Sequence, residues 1–288
     1  CGELAKIISI PNSSQTLLAA EIRRHSILGL DLGGDWHLQG VQVTDAGLAH
    51  LRGLTSLQHL DLRRCRRITG AGLAFLKGLP RLRVLQLREC TEIGDEGLAQ
   101  IAGLKELISL DAMTCGVTDT GLAHLAGLAK LRRLIVSYNA KITDAGLRHL
   151  KGLSQLEFLS IQYTGVTDDG LVHLAGLNRM RGLSLPFGTS SRGIRHLKDM
   201  TGLVRLSVTA PSAGSTGCPV RINDEDLAFI SSFRRLRTLK IASAAKVTDA
   251  GLAHLGRLKR LECLWIARCR EVTDAGLRHL ENTSLREL

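Results

Sequence analysis

Across residues 57–65, apolar Leu60 and Leu62 alternate with polar His59, Asp61 and Arg63. A two-residue period predicts a short strand with one buried face. Further on, Thr143-Asp144 is followed by Leu147, Leu150 and Leu153. Leucines three apart fall on one face of a short helix, and Thr-Asp stands where a helix N-cap belongs. Gly53, Gly78, Gly103, Gly127, Gly152 and Gly176 follow the helical leucines, where a left-handed C-terminal cap is expected. Another set lies near each helix start: Gly47, Gly72, Gly97, Gly121, Gly146, Gly170, Gly193, Gly251 and Gly276. Glycine there costs about 1 kcal/mol relative to alanine. Its recurrence predicts packing too close to admit a β-carbon.

This pairing of phrases repeats. Copies of the helical phrase begin at Val43, Ile68, Ile93, Val117, Ile142, Val166, Val247 and Val272. The strand leucines Leu60, Leu85, Leu110, Leu134, Leu159, Leu183 and Leu206 stand 23 to 25 residues apart. Such a period is the signature of a solenoid, because one strand and one helix cannot bury their own leucines whereas stacked neighbours can.

The phrases Leu57–Cys65 and Ile142–Leu153, with Thr-Asp-Ala-Gly-Leu at residues 143–147, resemble the leucine-rich repeat family. The subtype they resemble is the cysteine-containing kind, found in F-box-associated repeats and in bacterial proteins with the same phrase. The resemblance covers roughly residues 27 to 288 and ten strand positions. It implies an α/β horseshoe with a parallel sheet on the concave face and short helices on the convex face. It also implies a role in protein binding.

Residues 1–26 depart from the repeat and are expected to cap the first coil, with a helix near residues 17–24. Residues 27–288 are then one solenoid with loop insertions at 33–42 and 210–221, the first holding Trp36 and the second Cys218. Residues 284–288 begin another strand phrase with no helix behind it. The expectation is a truncated chain, or an end packed on another domain or subunit.

Composition narrows the function. No apolar run reaches 18 residues, so no membrane insertion is expected. Seven cysteines without a Cys-x-x-Cys spacing favour a reducing, cytoplasmic location. The alternative is a lipid-anchored or periplasmic chain, if Cys1 is a processed lipoprotein cysteine. Cys65, Cys90, Cys115 and Cys269 share one repeat position and read as small stacked core residues, against a sharper reading as inter-coil disulfides. The net charge of +11 allows an acidic partner; nucleic acid is the least favoured one, since no recognition motif accompanies it.

Chemistry is sparse. His50, His124, His149, His173, His196, His254 and His279 share one position, one per helix, and cannot converge on zinc at about 2 Å. Asp31, Asp61 and Asp111, with His59, face the concave side, but Gln86 interrupts the carboxylate row. Neither catalysis nor a cofactor nor a small-molecule substrate is expected. The expected function is binding of a protein or peptide, and the alternative is the recognition or regulatory arm of a larger signalling or ubiquitin-ligase-type assembly. Tyr138, Phe158, Tyr163, Phe187 and Trp265, five of nine aromatics, fall on or beside the concave face. With Arg63, Arg88 and Arg133 flanking them, they are the candidate partner-binding residues.

Overall fold

The computed structural model of the protein describes residues 7–9, 28–33, 43–208, 222–242, 245–267 and 269–287. They belong to two compact units, Cys1–Ile142 and Thr143–Leu288. The helix expected at 17–24, Trp36 and the loop around Cys218 lie outside the described residues.

In the first unit the parallel strands β1 (Ile7–Ser9), β2 (Gly29–Asp31), β3 (His59–Asp61), β4 (Val84–Gln86), β5 (Ser109–Asp111) and β6 (Arg133–Ile135) pair in chain order. β1 falls within the segment expected to cap the first coil; its backbone pairs with β2 and extends the sheet by one strand. Leu30, Leu60, Leu85, Leu110 and Leu134 are Cα partners from strand to strand, and all are fully buried. The return segments are helical at Asp45–Leu48, Ala71–Gly78, Gly94–Ile101 and Asp119–Leu125.

The second unit repeats the plan with β7 (Phe158–Ser160), β8 (Gly182–Leu185), β9 (Arg205–Val208), β10 (Thr238–Ala242) and β11 (Cys263–Ala267). Its return segments include Asp144–Leu147, Gly170–Leu174, Ser191–Arg195, Asp224–Ile230, Asp249–Leu255 and Asp274–Arg278. Asp144–Leu147 tightens into a 3₁₀ turn at Arg148–Leu150, and Ala71–Gly78 and Gly170–Leu174 are 3₁₀ throughout. Leucines three apart suit three residues per turn. At the far side of β11, Glu287 makes a parallel bridge to Cys263.

The Thr-Asp-x-Gly phrase works between coils as well as within them. Thr118, Thr143, Ser190, Thr248 and Thr273 cap their own helices by accepting a backbone N–H. The aspartate instead reaches toward the following coil. Asp45 accepts from Thr69 N–H and Oγ1 at 2.9 and 2.7 Å, Asp95 from Thr118 at 2.8 and 2.6 Å, and Asp224 from Thr248 at 2.8 and 2.7 Å. A β-carbon on Gly72, Gly121 or Gly251 would collide with the same carboxylates. The glycine requirement read from the sequence therefore has a named cause: it seats the aspartate of the previous coil.

The expected left-handed caps are corrected. Of the six glycines after the helical leucines, Gly53 alone has a positive φ, at 88°. The left-handed residues sit at the other corner, just past the strand: Arg64, Glu89, Thr114, Tyr138 and Tyr163 have φ between 55° and 65°. None is glycine or asparagine, so each conformation costs about 1–2 kcal/mol. Ladder bonds offset that cost in the first unit. Arg64 N–H donates to Arg88 O, Glu89 N–H to Met113 O (both 2.8 Å) and Thr114 N–H to Ser137 O (3.1 Å).

Candidate functional site

On the open strand face of the first unit, Asp31, Asp61, Gln86, Asp111 and Ile135 stand in register. Each aspartate accepts from the backbone N–H two residues on: Asp31 from Gly33, Asp61 from Arg63 and Asp111 from Met113, at 2.9 to 3.0 Å. Asp61 is buried, and Arg63 Nε donates to both of its oxygens at 3.0 and 2.7 Å. Arg64 pairs with Glu89 at 3.1 Å, and Arg88 Nε lies 3.7 Å from the same carboxylate. His59 faces Gln86 at 3.4 Å. Burial pushes the Asp111 carboxyl above its usual range, against the opposing pull of Met113 N–H and the charges of Arg88, Arg133 and Arg63. This face is charged and largely paired within itself. Arg133 is exposed on β6, and Tyr138 is 48% exposed just beyond it.

Beneath this face runs a polar ladder. Cys90 Sγ donates to Leu62 O and Cys115 Sγ to Leu87 O, each at 3.0 Å, so each thiol ties its turn to the preceding coil. Burial pushes the Cys65 and Cys90 thiols up to about 12, and Cys115 well above its usual value. Among the described residues, Cys65, Cys90, Cys115 and Cys263 are free thiols. At the next repeat Asn139 takes the position with a larger set of bonds. Its Oδ1 accepts from Cys115 N–H and Val117 N–H at 3.1 Å, and its Nδ2 donates to Ala112 O and Val136 O at 2.9 Å. Sequence reading passed over Asn139, although its spacing from Leu134 equals that of Cys115 from Leu110.

The second unit presents a different surface. Phe158 is the Cα partner of Gly182, and a β-carbon on that glycine would stand 2.6 Å from Phe158 Cδ2. The ring therefore lies over the bare backbone of β8. Tyr163 and Phe187 meet with ring centroids 6.2 Å apart and planes tilted by 48°. Between these flanks the floor is a row of serines, Ser160, Ser184 and Ser207, in register. The row continues through Lys240 to Trp265, which is 43% exposed. Arg205 and Lys240 are both exposed. Ser160 and Ser184 fall on this face by alternation alone, whereas Ser207, Gly182 and Lys240 were missed in the sequence; their signal was the shared position between the strand leucines.

Of the residues expected to bind a partner, the structure thus brings Phe158, Tyr163 and Phe187 to neighbouring strands of the second unit, with Trp265 on β11. Arg63, Arg88, Arg133 and Tyr138 belong to the first unit. His50, His124, His149 and His279 are exposed and His173, His196 and His254 half-buried. Among the described residues no His, Cys, Asp or Glu group could hold a metal ion, and no helix is long and apolar enough to cross a membrane.

Comparison with known proteins bears on this geometry. The family model "Leucine Rich repeat" matches residues 53–77, 79–102 and 127–150. No curated protein matches the chain in sequence. Among solved structures, an internalin (inlF) from Listeria monocytogenes aligns with 93% of this chain and 68% of its own, at a TM-score of 0.64 and 20% identity. An internalin C2 (inlC2) from the same organism aligns with 75% of this chain and 84% of its own, at a TM-score of 0.52 and 23% identity. The strand ladder, the short return helices and these likenesses together establish an α/β leucine-rich repeat solenoid, a fold of protein-binding scaffolds.

Proposed function

We propose that the chain is a non-enzymatic interaction module that takes a protein or peptide on its open strand face, with Phe158, Tyr163 and Phe187 as anchors. The observation that carries this is their placement. The buried leucines already close the core, and Phe158 on β7, with Tyr163 and Phe187 just past β7 and β8, stands outside it with its ring only half-buried. Aromatic side chains grouped at the surface are favoured binding anchors. The exposed Arg133, Arg205 and Lys240 favour an acidic partner. The thiol ladder of Cys65, Cys90 and Cys115 supports the cysteine-containing subtype of the repeat.

The test is a partner captured on the intact chain and titrated against Phe158→Ala, Tyr163→Ala and Phe187→Ala. Each is expected to weaken binding by about 1–3 kcal/mol without unfolding the protein. Unchanged affinity in all three, with binding abolished by substitutions on the outer helices, would overturn the reading.

A further inference from the structure

Resting on that reading, we infer that the second unit recognises an extended, acidic peptide segment lying across β7–β11, and not the surface of a folded domain. The trough has a floor and two walls. The floor is Ser160, Ser184 and Ser207, the smallest polar side chains in a row where the first unit carries Asp31, Asp61, Gln86 and Asp111. One wall is Phe158, lying over Gly182, followed by Arg205. The other is Pro186 with the Tyr163–Phe187 pair. Wall and wall are four residues apart along a strand, hence about 13 Å between Cα atoms at about 3.3 Å per residue. With rings on both sides, the remaining width suits an extended chain and is too narrow for a helix of about 10–12 Å diameter.

The far end of the trough sets the charge. Lys240 follows Ser207 in register, and Arg205 flanks that serine on the same strand pair. Both are exposed, and neither takes a carboxylate partner among the described residues. The first unit shows the contrasting arrangement, in which Arg63 and Arg64 are paired to Asp61 and Glu89. Beyond Lys240 stands Trp265, 43% exposed. Parallel strands are about 4.8 Å apart, and Phe187 stands three residues, about 10 Å, beyond the row that Ser184 shares with Lys240 and Trp265, so it lies about 14 Å from Lys240 on β10 and about 17 Å from Trp265 on β11. An extended peptide covers those distances in about four and five residues. The recognised segment is thus an apolar residue for the Tyr163–Phe187 pair, an Asp or Glu roughly four residues away for Lys240 and Arg205, and an apolar residue beside it for Trp265.

The experiment is selection of a random peptide library displayed on phage against the full chain, with binding of the enriched synthetic peptides measured by titration. Enriched peptides should share the apolar–acidic–apolar spacing. Phe187→Ala and Lys240→Glu should each weaken them at least tenfold, and Ser184→Leu, which fills the floor, should do the same. Replacing the peptide acid by lysine should restore binding to the Lys240→Glu variant. Circular dichroism and the unfolding midpoint check that each variant is folded. Peptides that need Phe187 but are indifferent to Lys240→Glu overturn the acidic inference and leave the proposed function standing. A folded partner that uses the same rings while no peptide is enriched overturns the extended-segment inference alone. Peptides alike only in acidity, displaced by a DNA oligonucleotide, identify a general polyanion surface and overturn it too. Enriched peptides insensitive to every substitution on this face sink both readings.

Discussion

The two units share a skeleton and differ in what they expose. In each, strand leucines pair in register, and an aspartate from one helix start receives the threonine or serine of the next, as Asp95 does Thr118 and Asp144 does Thr167. On the open face the first unit has carboxylates and arginines that mostly satisfy one another, whereas the second has serines, aromatic rings and two cations, Arg205 and Lys240, with no carboxylate partner among the described residues. A repeat needs only its leucines, its glycine and its capping pair to stack. The positions between the strand leucines are left to vary, so a difference there reports use and not folding. An ion pair at a surface adds little stability, about 0–1 kcal/mol, so the pairing of the first face is better understood as removing free charge than as holding the coils together.

The units also differ beneath the surface, and the largest expected effect lies there. Asn139 bonds five backbone groups from two coils, whereas Thr164, at the same position in the second unit, donates to Ile161 O of its own turn, at 2.7 Å. Asn139→Ala leaves several buried backbone groups unpaired and is expected to cost about 3–5 kcal/mol, against about 0.5–1.5 kcal/mol for Thr164→Ala. Urea unfolding of the two variants measures this. Equal losses would mean that the ladder is not what distinguishes the units.

The next effect tests what the units share. Gly121→Ala would place a methyl group against Asp95, and Gly170→Ala one against Asp144, whose Cγ would be 2.8 Å and Cα 3.0 Å away. At Gly170 the neighbour includes backbone, and at Gly121 three side chains crowd the methyl group at once, Asp95, Val117 and Leu98, so neither site can give way cheaply. Each change is expected to cost about 2–4 kcal/mol through overpacking and lost Asp–Thr bonds. Gly78→Ala is the control, with open space within 4 Å and no positive φ. It is expected to be neutral or stabilising by up to about 1 kcal/mol. A large gap between Gly121→Ala and Gly170→Ala would show that the shared skeleton is shared only in sequence.

These effects also mark what could be read from the chain alone. The strand period, the leucine spacing and the crowded glycine near each helix start were legible, because each is local and repeats. The face that Phe158 occupies was legible for the same reason, since alternation assigns a strand residue to one face; Tyr163 and Phe187 lie past the ends of β7 and β8, where alternation no longer applies. The left-handed corner at Arg64, Glu89 and Thr114 was not, because none of these residues favours that conformation; the ladder bond from the neighbouring coil imposes it. Nor was the partner of each helix-start aspartate, which lies a full repeat away in sequence. The serine trough required register. Only once Ser207 is aligned with Lys240, across the insertion that separates them, does a cation appear at its end.

The smallest effect sharpens the comparison through pH. Asp111 on the first unit's open face titrates above its usual range because it is buried. Between the unfolded and folded values the native chain holds more protons than the unfolded one, so stability falls as pH rises through that window. The penalty is then fully present at neutral pH. Asp111→Asn, which keeps an acceptor for Met113 N–H, should raise stability at pH 7 and flatten the fall. Asp249 at a helix start of the second unit behaves in the opposite sense. Hydrogen bonds from Thr273 Oγ1 and N–H, at 2.6 and 2.7 Å, hold it below its usual range. Its contribution is present above the unfolded value and is lost as pH falls through the folded one. Asp249→Asn should therefore lower stability at pH 7 and change it little in acid. Urea unfolding of both variants from pH 3 to pH 7 tests the pair. If Asp111→Asn loses stability at pH 7, the carboxylate on the first face is doing more than tolerating burial, and the self-paired reading of that face fails.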